Sequence, residues 1–249
     1  DDTKLVQSLS IANGRVANFG GAYRNKAERW QGALGADWTS GDWKAATEFS
    51  YTRSKATDVG NNLDVDFIAS RTDAVFNDGS GAPHFTLPND DMADPGRYYL
   101  SRLSTTRTVG DGKELAWRGD LSWRAPFLIF SGLDAGIRLS KRNAKSDSFT
   151  QTINSSATGA VQCYSIKAAS LPGLMTVTPG DFYTGTRQFV RQWATPTTGY
   201  LLNNIGSLRQ VVGLAPGDPA FQDTQHFDIE EKNYAGYGQA NVEVGRLDG

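Results

Sequence analysis

Long runs of strict alternation between apolar and polar residues are the feature of this sequence that most constrains its fold. In the first run, AERWQGALGADW at 27–38, Trp30, Leu34 and Trp38 share one face of an extended chain and Arg29 lies on the other. Period-2 alternation is typical of strands with one apolar face, because successive side chains of a strand point to opposite sides. Each run covers about a dozen residues, which exceeds the usual strand length of roughly 5–6 residues.

Five segments carry this pattern and predict five strands. They are 27–38, 43–55, 113–124, 131–143 and 231–245. Gly and Thr are too frequent in these segments for good helices. Residues 1–26 alternate only weakly, and a further strand there is left open. The predicted connections alternate in length, with short turns at 39–42, 125–130 and 246–249 and long loops at about 56–112 and 144–229.

Composition excludes several classes of protein. The net charge of -2 gives no basic bias, so no nucleic-acid partner is expected. No apolar run is long enough for a transmembrane helix. Cys163 is the only cysteine, which excludes an intramolecular disulfide and a metal site built on cysteine pairs. Only 39% of the residues are hydrophobic but 11% are aromatic, and disordered chains are poor in aromatic residues, so we expect an ordered chain.

The two faces of the predicted strands differ in a way that suits a membrane. One face carries full charges, which lipid rejects, and these side chains are predicted to face an aqueous lumen: Glu114, Arg118, Asp120, Arg124 and Arg138. Aromatic residues flank the short turns and predict a girdle at the membrane interface: Trp38, Trp43, Trp123 and Phe127. A soluble antiparallel sandwich or barrel is the alternative. Three observations favour a membrane barrel over this soluble alternative. The alternating segments are long, their apolar face contains few Val and Ile, and the connections are unequal in length.

We therefore predict an all-β fold, an antiparallel transmembrane β-barrel segment with long extracellular loops. About five to six strands fall within residues 1–249. These are too few to close a barrel, since the large outer-membrane barrels have roughly 22. The chain is accordingly expected to be a partial β-barrel domain from the middle of a longer protein.

Three stretches carry recognisable motifs. The first, RWQGALGADWTSGDWKAATEFSYTRSKA at 29–56, is a predicted strand-turn-strand unit with paired Trp. The second, at 113–143, has an Arg-x-Asp before a predicted turn and a Gly-x-Arg-x-Ser run after it. The third, FDIEEKNYAGYGQANVEVG at 227–245, contains a Tyr-Ala-x-Tyr-x-Gln run. Together these stretches resemble TonB-dependent outer-membrane receptors, particularly the proteobacterial subgroup typified by Xanthomonas and Caulobacter members.

This resemblance implies a location in the outer membrane of a Gram-negative bacterium and energised import of a scarce nutrient such as a siderophore, a cobalamin or an oligosaccharide. It implies as partners the outer-membrane lipid and lipopolysaccharide, a plug domain of the same full-length protein, the TonB inner-membrane complex and a small nutrient ligand. Residues 1–249 contain no recognisable plug domain, TonB box or terminal aromatic signal. The function is thus expected to belong to a larger chain.

Two loop stretches that mix aromatic residues with Arg are candidates for ligand contact. Aromatic faces stack on sugars, and guanidinium groups bind carboxylates or phosphates. The candidates are Arg97, Tyr98, Tyr99, Arg102, Tyr183, Arg187, Arg191, Trp193 and Tyr200. Packing of the loops on one another is the alternative. The inward charges at Arg118, Asp120, Arg124 and Arg138 can contact a plug, and charge pairing in the lumen explains them equally well.

No catalytic constellation is recognisable, and we expect neither enzymatic activity nor a cofactor. His84 and His226 lie in separate predicted loops, and no nucleophile, metalloprotease or phosphate-loop motif is present. The acidic loop 89–94 offers oxygen ligands for Ca²⁺ but lacks EF-hand spacing, so a solvated loop is favoured and no metal is predicted.

Two other functions compete with nutrient import. A passive outer-membrane porin has the same strands but no plug domain. A soluble carbohydrate-binding or glycan-degrading β-protein has the same alternation, but it folds in water without detergent.

Overall fold

A computed structural model describes residues 6–76, 83–124, 130–154, 165–180 and 190–242. Most of these residues lie in antiparallel β-sheet, which confirms the all-β class. The strands are β1 (Ser8–Ser40), β2 (Trp43–Val75), β3 (His84–Thr86), β4 (Tyr99–Trp123), β5 (Phe130–Asn154), β6 (Met175–Val177), β7 (Ala194–Pro196) and β8 (His226–Val242). The large sheet has the order β1-β2-β4-β5-β8, with β3 paired to β2, while β6 and β7 form a separate pair.

The five long strands contain the predicted segments but extend well beyond them. β1 begins at Ser8 rather than Ala27, and β2 ends at Val75 rather than Lys55. Likewise, β4 begins at Tyr99, β5 continues to Asn154 and β8 begins at His226. Directly beyond the apolar runs both faces carry polar side chains, so the hydrophobic alternation is interrupted although backbone pairing continues. It resumes further along β2, where Leu63, Val65, Phe67 and Ala69 are buried.

Both predicted long loops are therefore longer than the connections in the structure. The connection after β2 spans 76–98 and contains β3 and a 3-10 helix at Pro95–Arg97. The connection after β5 spans 155–225 and contains two short helices, α1 (Thr198–Asn203) and α2 (Ile205–Val211). The predicted turns around 125–129 and 246–249, the last residues of the predicted strand 231–245, and Cys163 lie outside the described residues.

A two-residue turn joins β1 to β2. Gly41 occupies the left-handed region with φ of 57°, a conformation that glycine adopts without the steric cost of a Cβ atom. Thr39 and Ser40 belong to β1, so the connection is even shorter than the predicted turn at 39–42.

A β-bulge near the start of β5 adjusts which face each side chain occupies. Phe130 pairs with Val242 and Gly132 pairs with Asn241, which leaves Ser131 as the extra residue. One extra residue exchanges the two faces of a strand. Phe130 therefore shares the face of Val242 instead of falling on the opposite one.

The chain divides into two compact units. Unit 1 comprises 1–24, 59–107 and 150–220, and unit 2 comprises 25–58, 108–149 and 221–249. Among the described residues, no helix is long and apolar enough to cross a membrane.

Unit 1 has a hydrophobic core built from strand residues and the connection that contains α1 and α2. Buried members include Leu63, Val65, Phe67, Ala69, Tyr98, Leu100, Leu103, Ala168, Leu174, Leu201, Leu208 and Val212. Two buried polar side chains tie the helices to the strands. Asn61 donates to the carbonyl of Leu201 at 2.9 Å, and Arg209 donates to the hydroxyl of Thr105 at 3.1 Å and the carbonyl of Ala215 at 2.8 Å.

The buried α2 side chain Leu208 tests this core. Leu208→Ala in the intact protein is expected to destabilise unit 1 by about 3 kcal/mol, because it removes buried methyl groups and leaves a cavity. Hydrogen exchange of the amides in 198–212 should then accelerate. Val177→Ala is the control, because Val177 is exposed and its replacement should change stability by less than about 0.5 kcal/mol. Equal exchange in the wild type and the Leu208 variant would contradict this core.

Candidate functional site

The register of β5 and β8 in unit 2 shows which side chains share a face. Leu139 lies opposite Tyr234 and Ile137 lies opposite Gly236 on one face. Directly opposite residues of an antiparallel pair point to the same side of the sheet. Residues one position further along each strand, such as Arg138 opposite Ala235, point to the other face. We call these two sides the apolar face and the polar face.

The polar face carries a hydrogen bond between two of its strands. The hydroxyl of Tyr237 donates to the carboxylate of Asp120 at 3.0 Å. Gly136 lies directly opposite Tyr237, and a Cβ atom at this glycine would collide with the Tyr237 ring and the Asp120 carboxylate. The aromatic ring thus covers the glycine backbone, and the absence of a side chain there permits the hydrogen bond.

Ion pairs continue across the polar face. Arg118 donates to Glu48 at 3.0 Å. Arg142 donates to Glu114 at 3.1 Å, and its other terminal nitrogen lies 3.9 Å from Glu231. These side chains are largely exposed, so each pair contributes about 0–1 kcal/mol to stability. Their main effect is to keep this face charged and hydrated.

Two depressions interrupt the polar face. The first, of about 260 Å³, is lined by Arg118, Arg138, Glu48, Ser140 and Asn233, among others. Arg118 is paired there, whereas Arg138 has no ion pair among the described residues. The second, of about 240 Å³, lies beside the Gly41 turn and includes Arg124. An anionic group is the ligand best suited to the first depression, since it contains a cation that is not already neutralised.

The five residues predicted to face a lumen are distributed over this polar face. Glu114, Arg118 and Asp120 lie on β4 and bind Arg142, Glu48 and Tyr237 respectively. Arg138 lies on β5, and Arg124 follows the end of β4, where its backbone N–H donates to the carbonyl of Asp42 at 2.8 Å. That this face borders a lumen stays a prediction.

The apolar face carries aromatic pairs. Trp43 and Trp123 stack with ring centroids 5.3 Å apart, and Trp30 lies 5.5 Å from Tyr51. Trp117 also belongs here, and its indole N–H donates to the hydroxyl of Thr47 at 2.9 Å. Trp43 is the first residue of β2, directly after the turn, and Trp123 is the last residue of β4, while Phe127 lies outside the described residues. That these side chains form a girdle at a membrane interface stays a prediction.

Large apolar side chains on this face are exposed. Leu34 is 79% exposed, Tyr234 74%, Trp30 61% and Trp38 56%. Such a continuous apolar surface is rare on soluble monomers and marks contact with a partner or a membrane.

In unit 1 the predicted ligand residues Tyr98 and Tyr99 have different environments. Tyr98 is fully buried, donates its hydroxyl to the Met92 carbonyl at 2.8 Å and packs edge-on against Phe67 at 5.1 Å. Burial raises the pKa of Tyr98. The prediction that Tyr98 contacts a ligand is therefore wrong, because its side chain is part of the core.

Tyr99 and Arg97 instead line a cavity of about 600 Å³ together with Phe67, Asp94 and Lys167. The Arg97 guanidinium lies 5.3 Å from the centre of the Phe67 ring, and the Lys167 ammonium lies 5.6 Å from the centre of the Tyr99 ring. Arg97 also pairs with Asp90. This combination of aromatic faces and cations suits a flat or anionic ligand.

Among the described residues, the other predicted ligand residues do not line this cavity. Arg102 pairs with Asp64 at 2.8 Å, and Arg191 lines a different cavity of about 490 Å³ with Asp90 and Asp91. Trp193 is half-buried and its backbone N–H donates to the Thr178 hydroxyl at 3.1 Å. Tyr200 lies in the first turn of α1. Tyr183 and Arg187 lie outside the described residues.

The carboxylates of the acidic loop are used by the loop itself. Asp90 accepts from the backbone and hydroxyl of Ser70 at 2.8 and 3.0 Å. Asp91 accepts from the Ala93 amide and Asp94 accepts from the Gly96 amide, both at 2.8 Å. Within the described ranges, no group of three His, Cys, Asp or Glu side chains is arranged to hold a metal ion.

The two histidines also have local roles. His84 lies in β3. His226 begins β8, and its Nδ1 lies 2.6 Å from the carboxylate of Asp147, so neither residue belongs to the cavities described above.

Comparisons with known proteins add no family. No protein-family model matches the chain, and a search of curated proteins finds no match.

Sequence reasoning missed three contributors to these sites. Lys167 carries no local signal, because it follows a segment without periodicity and reaches Tyr99 only through the fold. Phe67 was hidden within a predicted loop. Tyr237 is part of the Tyr-Ala-x-Tyr-x-Gln run, but its bond to Asp120 depends on a strand register that alternation alone does not define.

Glu230 offers a pH test of the apolar-face register. It accepts from Lys141 at 2.9 Å and from Lys232 at 3.0 Å, and these hydrogen bonds lower the pKa of Glu230 from 4.5 to about 2. A carboxyl NMR titration of the intact protein should give a midpoint of about 2 for Glu230, and Lys141→Gln should raise it.

Because the pKa of Glu230 is lowered in the folded protein, its contribution to stability depends on pH. The folded value lies below the unfolded one, so the stabilisation by this cluster is complete above pH 4.5 and is lost as the pH falls toward about 2. Lys44→Gln, on the polar face beside the turn, should leave the titration unchanged. A wild-type midpoint near 4.5 would show that the two lysines do not bind Glu230.

Proposed function

We propose that this chain is part of a TonB-dependent outer-membrane receptor that binds a scarce nutrient and imports it actively. The observation that carries the proposal is the contrast between the two faces of the unit 2 strands. One face exposes Trp30, Leu34 and Tyr234 to the surroundings, while the other bears ion pairs such as Arg118–Glu48. Lipid covers the first face and an aqueous lumen hydrates the second.

The length of the apolar face suits a bilayer. It extends over 30–38, 43–51, 115–123, 133–139 and 234–240, which we assign as the membrane-spanning segments. A strand rises roughly 3.3 Å per residue, so the three segments of nine residues, when tilted, match the apolar band of about 25 Å in outer-membrane barrels. The segments on β5 and β8 have seven residues each.

The sheet edges support closure by further strands. Within the described sheet, β1 and β8 are the outermost strands and each pairs on one side only. An edge within lipid leaves backbone groups without hydrogen bonds, and spanning sheets therefore close into barrels. A longer polypeptide is the source of these strands, as a receptor barrel of roughly 22 strands requires.

The lengths of the connections indicate how the proposed barrel is oriented in the membrane. The two-residue turn after Ser40 marks the periplasmic side, where outer-membrane barrels have short turns. The connections 76–98 and 155–225 then lie on the extracellular side, where ligands arrive. The cavity lined by Arg97, Tyr99 and Lys167 belongs to these connections and is the proposed nutrient contact.

The resemblance at 29–56, 113–143 and 227–245 distinguishes a receptor from other barrels. It implies a plug domain of the same protein and coupling to the TonB complex of the inner membrane. The nutrient class is a siderophore, a cobalamin or an oligosaccharide. We assign no catalytic role and no cofactor to the chain.

Spin labels at adjacent positions test the membrane-facing side. In a Cys163→Ser background, single cysteines replace Leu121 or Leu139 on the apolar face and Ser122 or Ser140 on the polar face. Oxygen dissolved in lipid should preferentially speed the relaxation of labels on the apolar face. A water-soluble nickel chelate should preferentially speed the relaxation of labels on the polar face. The intact protein should also fractionate with outer membranes. Equal access of the nickel chelate to all four labels would refute the lipid-facing assignment.

Energy dependence separates a receptor from a porin. Uptake of the nutrient should cease when the TonB complex is deleted, while surface binding persists. Passive uptake that continues without TonB would instead establish a porin. Reading the gene on both sides of this segment for a plug domain gives an independent answer.

Replacement of Lys167 tests the proposed nutrient contact. Lys167→Gln removes a cation from the aromatic cavity and is expected to weaken binding of the imported nutrient about tenfold, or about 1.4 kcal/mol. Arg71→Gln removes an exposed cation that is paired with Asp73 in the same unit and should leave affinity unchanged. Radiolabelled nutrient binding to whole cells measures both, and unchanged affinity in the Lys167 variant would eliminate this cavity.

A further inference from the structure

The connection after β5 packs against one face of the strands of unit 1. On β2, the buried side chains at alternate positions are those of Asn61, Leu63, Val65, Phe67 and Ala69. Ile68, which lies between two of them, is 52% exposed. The connection contributes Ala168, Leu174, Ala194, Leu201, Leu208 and Val212 to the same core. We call the described part of this connection within unit 1, residues 165–180 and 190–220, the cap.

Main-chain hydrogen bonds join the cap to the segment that leads into β4. Tyr99 and Lys167, two residues that line the aromatic cavity, face each other in an antiparallel bridge. Two hydrogen bonds of 2.9 Å flank this bridge, from the Leu100 N–H to the Ile166 carbonyl and from the Ala168 N–H to the Tyr98 carbonyl. Opposite walls of the cavity are therefore held together by backbone pairing and not only by side chains.

The cations of the cavity are also held in place by the protein itself. Arg97 pairs with Asp90, whose side chain is only 1% exposed. Asp90 in turn accepts from the N–H and the hydroxyl of Ser70 on β2, at 2.8 and 3.0 Å. This chain of contacts holds the Arg97 guanidinium 5.3 Å from the centre of the Phe67 ring. Lys167 is held by its bridge to Tyr99.

A glycine lets the cap approach β1 closely. A Cβ atom at Gly20 would lie 2.7 Å from the Cβ of Pro196 and 2.9 Å from its carbonyl oxygen. Two residues earlier, the side-chain amide of Asn18 donates to the carbonyl of Ala194 at 2.8 Å. No side chain fits between the cap and β1 at this point, so their contact is direct.

Buried polar groups link the cap to two further strands. Asn61 on β2 donates to the Leu201 carbonyl at 2.9 Å, and Arg209 donates to the hydroxyl of Thr105 on β4 at 3.1 Å. Lifting the cap would break these hydrogen bonds and expose the apolar side chains of its core to water, which is unfavourable.

We propose that the cap is a fixed wall of the cavity lined by Arg97, Tyr99 and Lys167, and not a gate that closes over a bound nutrient. This inference rests on the proposed function, which makes that cavity the nutrient contact. A cavity that is complete before the ligand arrives avoids the entropic cost of ordering loops on binding. It selects ligands that fit the existing space of about 600 Å³.

A covalent tether between β1 and the cap tests whether the cap has to move. Arg24 on β1 donates to Asn203 of α1 at 3.3 Å, and both side chains are exposed. In a Cys163→Ser background, Arg24→Cys with Asn203→Cys is joined by a short bis-maleimide. N-ethylmaleimide is the matched control, because it alkylates the same two cysteines without tethering them.

The probe is naphthalene-1-carboxylate, a flat fluorescent anion, titrated into the intact protein in detergent. The tethered and untethered forms should bind it with equal affinity, because the cap stays in place during binding. Lys167→Gln should weaken binding about tenfold in both forms, which assigns the signal to this cavity. Weaker binding in the tethered form alone would overturn the proposal.

Hydrogen exchange without any ligand gives a second test. The amides of Ala168 and Ala194, which donate to carbonyls outside the cap, should be as strongly protected as those of β2. Gly20→Ala should accelerate both by forcing Pro196 away from β1. Gly199→Ala is the control, since a Cβ atom there meets nothing within 4 Å. Rapid exchange in the wild type, or equal exchange in the two alanine variants, would overturn the proposal.

The two proposals fail in different ways. If naphthalene-1-carboxylate does not bind even the untethered protein, the cavity fails as the proposed nutrient contact, and hydrogen exchange still decides whether the cap is fixed. If the probe binds and the tether prevents it, only the fixed wall fails.

Discussion

Backbone pairing between antiparallel strands is the interaction on which the rest of this structure depends. β1 and β2 each continue for 33 residues, and β4 and β5 each for 25. Pairing holds the register in which Leu139 faces Tyr234 and Arg138 faces Ala235. The apolar face and the polar face are both consequences of that register, since a slip of one residue would exchange the two faces.

The sequence predicted the parts of the strands where hydrophobicity and geometry agree. Alternation around Trp30, Trp117 and Ile137 is strong because one face excludes charge, and there all five segments were recognised. Alternation fails near Lys26 or Lys145, where both faces are polar. This interruption separated the recognised segments from the strand ends beyond it, where alternation resumes at residues such as Leu63. The helices α1 and α2 have 6 and 7 residues, too few for a helical period to emerge from the pattern.

Prediction of the candidate sites was limited for a different reason. Tyr98 and Tyr99 are neighbours of the same type, yet one is core and the other lines a cavity with Lys167. Only tertiary packing separates them. The face occupied by the charged residues was easier to predict, because full charges at alternate positions all point to the same side of a strand. Their partners, such as Glu48 for Arg118, required the registers of neighbouring strands.

The bulge at Ser131 has a consequence for how such a strand tolerates changes in length. An insertion or deletion of one residue within 133–139 would exchange the faces of everything between it and the next irregularity, and charges would then enter the apolar side. At the bulge the ladder already accommodates two residues against one. A deletion of Ser131 would restore regular pairing and leave Phe130 opposite Val242. Length variation among natural variants of this strand should therefore concentrate at the bulge, where it leaves the faces of the neighbouring side chains unchanged.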